Sequence, residues 1–371
     1  MPDQTPLHTV TAQAGAVFAE NTGFQVPEGF GDPAAEYGRA HTAAVLFDRC
    51  HAAKIEITGG DAAMFLHNLS TNDVQGMPVG AGCEAFLCNA KARVIAHVWI
   101  YHILLHDGRD AFWLDAAPGF AEKIIKHLDH FLISEQVEFA DRTREFAQLH
   151  LAGPHAKAAL EKALHDTVPD LDENQHMMRT VGSAGTCHIR RRDALGIPGY
   201  DIVCLGARGE AVWRELTAAG AQPAGRAAFE MLRIEASMPL YGVDIDENTL
   251  APEIGRTAQA ISYAKGCFLG QEPIVRIRDL GQVNRTLMRL EVEGTQPLPH
   301  GAKLFRDGQE VGMITSSASV TGTESAVALG YVRRGNTDPG TTLDVHIGDT
   351  TRIAKVARSA PDVAATASSV P

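Results

Sequence analysis

The chain has 371 residues, of which 45% are hydrophobic and 21% are charged, with a formal net charge of −12. Its length predicts two or three globular domains of roughly 150 residues each, and its acidic balance argues against general nucleic-acid binding. No run of about 18 or more apolar residues occurs, so no membrane span is expected. The N-terminus lacks the features of a secretory signal, and the six cysteines form neither C-x-x-C pairs nor a disulfide framework. A reducing cytoplasm is the expected location.

The first three quarters of the chain predict a mixture of strands and helices. Residues 1 to about 40, rich in glycine, proline and small side chains, are expected to wrap the surface. One predicted unit consists of a strand at 54–58, a Gly-Gly turn and a helix at 62–69. A similar unit follows later in the chain, with a strand ending at Leu151 and a helix at 155–164. This repetition suggests an internal duplication. The other predicted elements are strands at 94–105, 111–114, 187–190 and 200–205 and helices at 119–131, 210–219 and 226–235.

Beyond Arg285 the pattern changes to short strands that are separated by turns. They are predicted at 286–292, 303–306, 312–316, 326–332 and 342–345. No helical periodicity fits this region, so it is predicted to be a small β-barrel or sandwich. Residues 357–371, rich in alanine, serine and threonine, are expected to form a disordered tail.

The segment 263–278 is the most informative part of the chain, because it contains the phrase Lys-Gly-Cys-Phe-Leu-Gly-Gln-Glu. Cys267 lies two residues after Lys265, and a nearby cation favours the reactive thiolate form of a cysteine. Between 263 and 289 there are five basic residues and two acidic ones, which suggests an anionic ligand or partner nearby. The alternatives are that the arginines pair with acids elsewhere and that Cys267 is a buried packing residue.

This phrase resembles the signature of the YgfZ family, folate-binding relatives of the glycine-cleavage T-protein. Other phrases resemble the same superfamily, among them Arg-Ile-Glu-Ala-Ser-Met-Pro-Leu-Tyr-Gly at 233–242 and Gly-Met-Ile-Thr-Ser at 312–316. The resemblance implies an α+β fold: a folate-binding domain around a central cavity, followed by a small C-terminal β-barrel. The expected boundaries are 1–284 for the folate-binding domain, with subdomains at about 40–140 and 145–284, and 285–356 for the barrel.

The resemblance also implies the cofactor, tetrahydrofolate or a one-carbon derivative, and the residues that bind it. Asp201 lies where the family places an acidic residue that holds the pteridine ring, and a carboxylate can accept paired N–H donors. Arg233 matches an arginine of the same pocket and could hold the glutamate tail of folate. The remaining expected binding residues are Glu235, Gln271, Glu272 and Arg276. As alternatives, Asp201 would be a turn-flanking acid and Arg233 part of a surface ion pair.

The residue pattern departs from the aminomethyltransferase at its acid/base group. Where that enzyme has a carboxylate in a long strand, this chain has Ala96 and His97, and Glu84 takes the place of a tyrosine. Because alanine cannot transfer a proton, glycine cleavage is not expected. Histidine pairs elsewhere lack a third ligand of matching character, so no metal site is expected.

The resulting hypothesis is a tetrahydrofolate-binding accessory protein for iron–sulfur cluster assembly or repair. In it Cys267, assisted by Lys265, supplies a reactive thiol, and the partners are folate and iron–sulfur proteins or assembly factors. One thiol cannot hold a cluster that usually needs four ligands, so a transient role is expected. The main alternative is a folate-dependent aminomethyltransferase or demethylase in which His97 or Glu84 replaces the missing carboxylate. A third is a folate-binding scaffold without chemistry.

Overall fold

The computed structural model describes residues 1–105, 107–281, 283–320, 324–348 and 350–357. The strands before the C-terminal region are β1 (Asp3–Gln4), β2 (Val17–Asn21), β3 (Phe24–Gly29), β4 (Val45–Asp48), β5 (Ala53–Thr58), β6 (Gly82–Cys88), β7 (Val94–Leu104), β8 (Asp110–Ala116), β9 (Glu138–Asp141), β10 (Phe146–Ala152), β11 (His176–Val181), β12 (Gly185–Arg191), β13 (Gly199–Leu205) and β14 (Gln222–Pro223). The α-helices are α1 (His8–Gln13), α2 (Pro33–Ala40), α3 (Ala62–Leu69), α4 (Ala121–Asp129), α5 (Ala156–Leu164), α6 (Gly206–Ala218), α7 (Arg226–Glu235), α8 (Thr257–Ala260) and α9 (Gln271–Leu280), and a 3-10 helix spans Ala251–Ile254.

Two mainly antiparallel sheets form the centre of this region. One has the strand order β6-β7-β8-β5-β9 and the other β11-β12-β13-β10-β4-β14. Each sheet has its own apolar core: Ile55, Leu66 and Ile100 belong to the first, and Leu149 and Trp213 to the second. Helices cover one face of each sheet, and the other faces pack toward each other, where Tyr101 and Trp113 of the first sheet share a core with Val203 of the second.

The predicted duplication appears as two matching strand–turn–helix units, β5–α3 and β10–α5. Both turns contain a glycine in the left-handed region, Gly59 with φ +118° and Gly153 with φ +115°. At each position an added Cβ would lie about 2 Å from a backbone carbonyl oxygen: 2.0 Å from that of Gln136 and 2.1 Å from that of Ala43. Only glycine fits both the conformation and the space, which accounts for the repeated motif.

The C-terminal region is a closed barrel, which resolves the barrel-or-sandwich alternative. Its strands are β15 (Arg285–Glu293), β16 (Lys303–Arg306), β17 (Gln309–Ser319), β18 (Ser325–Arg333), β19 (Thr342–Ile347) and β20 (Thr350–Val356), in the order β15-β18-β17-β16-β19-β20. Helix α7 joins the barrel to the second sheet, because Leu232 packs in one core with Phe47 of β4 and with Leu329 and Tyr331 of β18. The α+β fold with a terminal barrel is thereby confirmed.

Three segments differ from the sequence-based expectation. The first 40 residues contain α1, α2 and a small sheet of order β1-β3-β2, anchored by the buried side chains of Leu7 and Val26. Helix α9 follows the cysteine loop, and β20 closes the barrel. None of the three has a strong periodicity of apolar residues. Their apolar side chains are buried by elements that are distant in sequence, so the local pattern does not predict them. Of the predicted tail, residues 358–371 lie outside the described part of the chain.

Within the described residues, no helix combines the length and the apolar character that a membrane span requires.

Candidate functional site: a cavity between two sheets

A cavity lies where the two sheets face each other and α7 closes one side. The empty space between its walls, together with the open mouth, is about 690 Å³. Strands β7, β8, β10 and β13 and helix α7 all contribute to its lining. The lining residues are Arg49, Ala52, His97, Trp99, Asp115, Ala116, Ala117, Gln148, His150, Arg192, Ala194, Leu195, Asp201, Phe229, Arg233, Met238, Pro239, Leu240 and Tyr241.

Asp201, on β13, is a buried carboxylate in the wall of this cavity. Its Oδ1 lies 2.8 Å from Nδ1 of His150 on the adjacent β10, and its Oδ2 accepts a bond of 3.4 Å from Arg192. Burial opposes ionisation, but the His150 hydrogen bond and the Arg192 charge outweigh it and hold the pKa of Asp201 well below its usual range. Asp201 is therefore an anionic acceptor with capacity for further N–H donors.

Asp115, on β8, forms a second buried carboxylate cluster across the gap between the sheets. Its Oδ2 accepts bonds from Arg190 at 2.6 Å and from the side-chain amide of Gln148 at 3.3 Å. Three acceptor-type atoms on residues lining the cavity, Oδ1 of Asp115, Oε1 of Gln148 and Nε2 of His150, are buried without a partner in the described structure. Buried acceptors normally find donors, so the cavity fits a ligand with a donor-rich edge.

Glu84, His97 and Arg256 form a chain of contacts at another part of the wall. Nε2 of His97 lies 2.7 Å from Oε1 of Glu84, and both oxygens of Glu84 also accept 2.5 Å bonds from Arg256. Burial alone would raise the pKa of Glu84, but Arg256 and His97 lower it to about 2, while burial lowers the pKa of His97. Glu84 is thus ionised at neutral pH and neutral His97 donates its Nε2 proton, which leaves Nδ1 as an acceptor.

Arg233, on α7, lines the cavity but is already surrounded by partners. Its guanidinium donates to Glu230 at 2.7 Å, to Asp244 at 2.9 Å and to the Ser316 hydroxyl of the barrel at 3.1 Å. Asp244 is itself buried and accepts a 2.5 Å bond from Thr315. This network ties α7 to the barrel, so the described contacts of Arg233 are structural.

The cysteine loop lies at a different place on the molecule. The Lys265 ammonium is buried and donates to the backbone carbonyls of His67, in the last turn of α3, and of Ser70 and Asn72, which follow it. Phe268 packs with Phe86, while Cys267 is exposed. The loop is therefore anchored on the first sheet by its lysine and its phenylalanine.

Sequence reasoning selected eight site residues, and the structure brings two of them, Asp201 and Arg233, into the cavity lining. The residues of the cysteine loop and α9 are not among those that line it: Lys265, Cys267, Gln271, Glu272 and Arg276. Glu235 is also absent from the lining and lies 3.2 Å from His41. The binding and catalytic roles given to these residues stay predictions.

Several lining residues were not selected from the sequence. Asp115, Gln148 and His150 are polar residues in otherwise apolar strands, at positions that face the opposite sheet. A buried polar side chain in an apolar strand is a signal in itself, but the identity of its neighbours depends on how the two sheets are placed.

The fold defines an α+β protein with a cavity between two sheets and an appended C-terminal barrel. A model of the GCVT N-terminal domain matches residues 7–260, and a model of the glycine cleavage T-protein C-terminal barrel domain matches residues 285–361. The chain belongs to the glycine cleavage T-protein family. The cysteine loop falls between the two matched regions.

Relatives with known names are similar over nearly the whole chain. A protein of Rubrobacter xylanophilus named aminomethyltransferase is 29% identical, covering 89% of this chain and 87% of its own length. An aminomethyltransferase of Herpetosiphon aurantiacus is also 29% identical, with 93% and 94% covered. The crystal structure of the glycine cleavage system aminomethyltransferase T from Bartonella henselae superposes with a TM-score of 0.86 at 23% identity, covering 97% and 98% of the two chains. That last likeness shows a shared fold.

Proposed function

We propose that this protein binds a tetrahydrofolate in the cavity between its sheets. The observation that carries the proposal is the anionic Asp201 beside three buried acceptor atoms without partners, on Asp115, Gln148 and His150. A reduced pteridine presents several N–H donors on one edge, and carboxylate, amide and imidazole acceptors suit them. Trp99, Phe229 and Leu240 supply flat or apolar walls for the rest of the ligand.

The chemistry that fits best is one-carbon transfer of the aminomethyltransferase type, the activity named for the relatives in Rubrobacter and Herpetosiphon. A bound folate would supply the atom that carries the one-carbon group. This chain would supply the base: neutral His97 has a free Nδ1, and the ionised Glu84 fixes the tautomer and orientation of its ring. A histidine oriented by a carboxylate is a recurrent general base. His97 faces the cavity, whereas the adjacent Ala96 points into the core of the first sheet.

Binding and turnover measurements test this proposal directly. Calorimetry with tetrahydrofolate should give a measurable Kd, and Asp201→Asn should weaken it. Tetrahydrofolate-dependent release of ammonia from an aminomethyl donor, with transfer of its methylene carbon to the folate, should fall by about 10²–10⁴-fold in His97→Asn, the range for loss of a general base. Normal turnover in His97→Asn would remove the base assignment, and absence of folate binding would end the whole proposal.

A second candidate is an accessory role in iron–sulfur cluster assembly or repair, as the YgfZ resemblance implies. One observation favours it: of the six cysteines, all in the described part of the chain, Cys267 is the exposed one. An accessible thiol can exchange with a partner's thiol or ligate a metal transiently. The names of the relatives support the transferase more than this role, and Cys267 is not among the described residues that line the cavity.

Two variants separate the candidates. Cys267→Ala should lower the activity of iron–sulfur enzymes in cells if the accessory role holds, and His97→Asn should leave those activities unchanged. The matched control is Cys83→Ala, which removes a half-buried thiol on strand β6. Unchanged iron–sulfur enzyme activities in Cys267→Ala would remove the accessory role.

A further inference from the structure

A second cavity opens beside the first and shares part of its wall. Arg49, Phe229, Leu240 and Tyr241 line both cavities, and the empty space of the second, together with its open mouth, is also about 690 Å³. A ligand that fills the first cavity can therefore extend past Phe229 into the second. The lining of the outer cavity includes the charged residues Arg49, Arg226 and Glu230 and the polar His51.

Arg49 is an unpaired cation between the two cavities. Its guanidinium lies over the Phe229 ring, 4.1 Å from the centroid, and no carboxylate oxygen of a described residue is within 4.0 Å of it. Burial lowers the pKa of Arg49 to about 10, so the group is still protonated at neutral pH. A partly desolvated cation without a counter-ion favours an anionic ligand.

The carboxylates near Arg49 already have other partners. Glu230, Asp201 and Asp48 are the acids whose charges act on Arg49. Glu230 lies 2.6 Å from Arg233, Asp201 contacts His150 at 2.8 Å, and Asp48 accepts a 2.7 Å bond from the Thr5 hydroxyl. The other arginine of the outer cavity, Arg226, pairs with Glu28 at 2.8 Å. Arg233, the arginine expected from sequence to hold a glutamate tail, is equally occupied. Among the described arginines that line the two cavities, Arg49 is therefore the one that has no carboxylate partner and remains available to a ligand.

His51 provides a second polar group in the same outer cavity. It is 2% exposed, and its Nδ1 is buried with no partner among the described residues. Burial and the nearby charge of Arg49 hold its pKa well below the ordinary value, so the ring is neutral. A neutral imidazole can donate one N–H to a carboxylate without adding charge.

We infer that the outer cavity is a carboxylate subsite in which Arg49, with His51 beside it, binds the glutamyl tail of the folate. This inference rests on the proposed folate site and deepens it by naming the part of the ligand that leaves the inner cavity. The ring would lie against Asp201, and the tail would run past Phe229 to Arg49. A free carboxylate, such as an amino-acid substrate, has the same chemistry and is the other source to distinguish.

Calorimetry on the full chain tests the inference with three ligands: 5-formyltetrahydrofolate, a tetrahydropterin without the aminobenzoylglutamate tail, and that pterin with separate γ-glutamylglutamate. Arg49→Gln should weaken 5-formyltetrahydrofolate binding by about tenfold or more, as expected for a charge-assisted hydrogen bond. Binding of the tail-free pterin, which has no carboxylate to contact Arg49, should weaken much less. Arg49→Lys should retain part of the lost affinity, and Arg214→Gln, an exposed arginine paired with Glu210, is the control.

The outcomes distinguish failure of the carboxylate subsite at Arg49 from failure of the folate site itself. Equal loss for both pterins, or no loss for either, would overturn the tail subsite while the folate site stands. Sensitivity to Arg49 only when free γ-glutamylglutamate is present would assign the subsite to a separate carboxylate and overturn the tail. If none of the folates binds to the wild-type protein, the proposed function itself fails, and the subsite with it. Circular dichroism confirms that each variant is folded.

Discussion

Nε2 of His97 and Oε1 of Glu84 lie 2.7 Å apart, on neighbouring strands β7 and β6, and both side chains are buried. Arg256 completes the contact from the segment before α8 and balances the charge of Glu84. The arrangement holds one imidazole in a fixed orientation at the wall of the cavity. It gives this chain a polar group at His97, while the adjacent Ala96 lies in the core of the first sheet.

Removing the Glu84 charge is expected to destabilise the fold. Glu84→Gln leaves Arg256 partly buried without its carboxylate, and breaking such a pair typically costs about 3–5 kcal/mol. Urea denaturation followed by circular dichroism measures the free energy of unfolding. Glu310→Gln, which breaks an exposed pair with Lys303, should change it little. Equal effects of the two substitutions would contradict the buried role of Glu84.

Stability should also fall at acidic pH through Glu84. Its folded-state pKa of about 2 is below the ordinary 4.5, so between these values the unfolded chain binds more protons than the native one. The contribution is present above about pH 4.5 and is lost as the pH falls toward about 2. Comparing urea midpoints at about pH 6 and about pH 3 should show a smaller decrease in Glu84→Gln than in wild type. An identical decrease would assign the acid sensitivity to other groups.

The two turn glycines should tolerate no side chain. Gly59→Ala and Gly153→Ala each combine a left-handed backbone with a Cβ placed about 2 Å from a carbonyl oxygen, so each should lose at least about 2 kcal/mol of stability. Gly38→Ala is the matched control, because its Cβ would meet nothing within 4 Å in helix α2, and it should stabilise slightly. Thermal unfolding gives the comparison. Wild-type stability in Gly59→Ala would show that the turn can rearrange.

Ligand affinity should depend on Asp201 through its charge. Asp201→Asn keeps the size of the side chain but replaces one acceptor oxygen by a donor, so tetrahydrofolate binding should weaken by about 10–100-fold. Asp279→Asn, at an exposed acid paired with Arg278, should leave the affinity unchanged. Calorimetry at neutral pH gives both dissociation constants. Unchanged affinity in Asp201→Asn would place the ring against Asp115 instead.

The site residues that the sequence indicated differ from those it did not indicate in how far along the chain their contacts lie. Asp201 and Arg233 lie in sequence motifs that resemble the family, so the sequence indicated both as site residues. That the guanidinium of Arg233 is already hydrogen-bonded depends on Asp244 and on Ser316 of the barrel, which lie 11 and 83 positions further along the chain. Arg49 follows a short strand and gives no local signal. Its importance comes from Phe229, 180 positions later, and from the absence of a carboxylate partner among the described residues.

The mixture of strands and helices, the all-β C-terminal region and the repeated strand–turn–helix units were determined by the order of residues alone, because periodicity and turn glycines act over a few positions. The tertiary structure decided which polar groups face one cavity, which arginines are already paired, and that the cysteine loop is anchored away from the cavity lining. Those properties arise from packing two sheets, a helix and a barrel together. Charge pairing and burial across such distances depend on three-dimensional neighbours that no local pattern encodes.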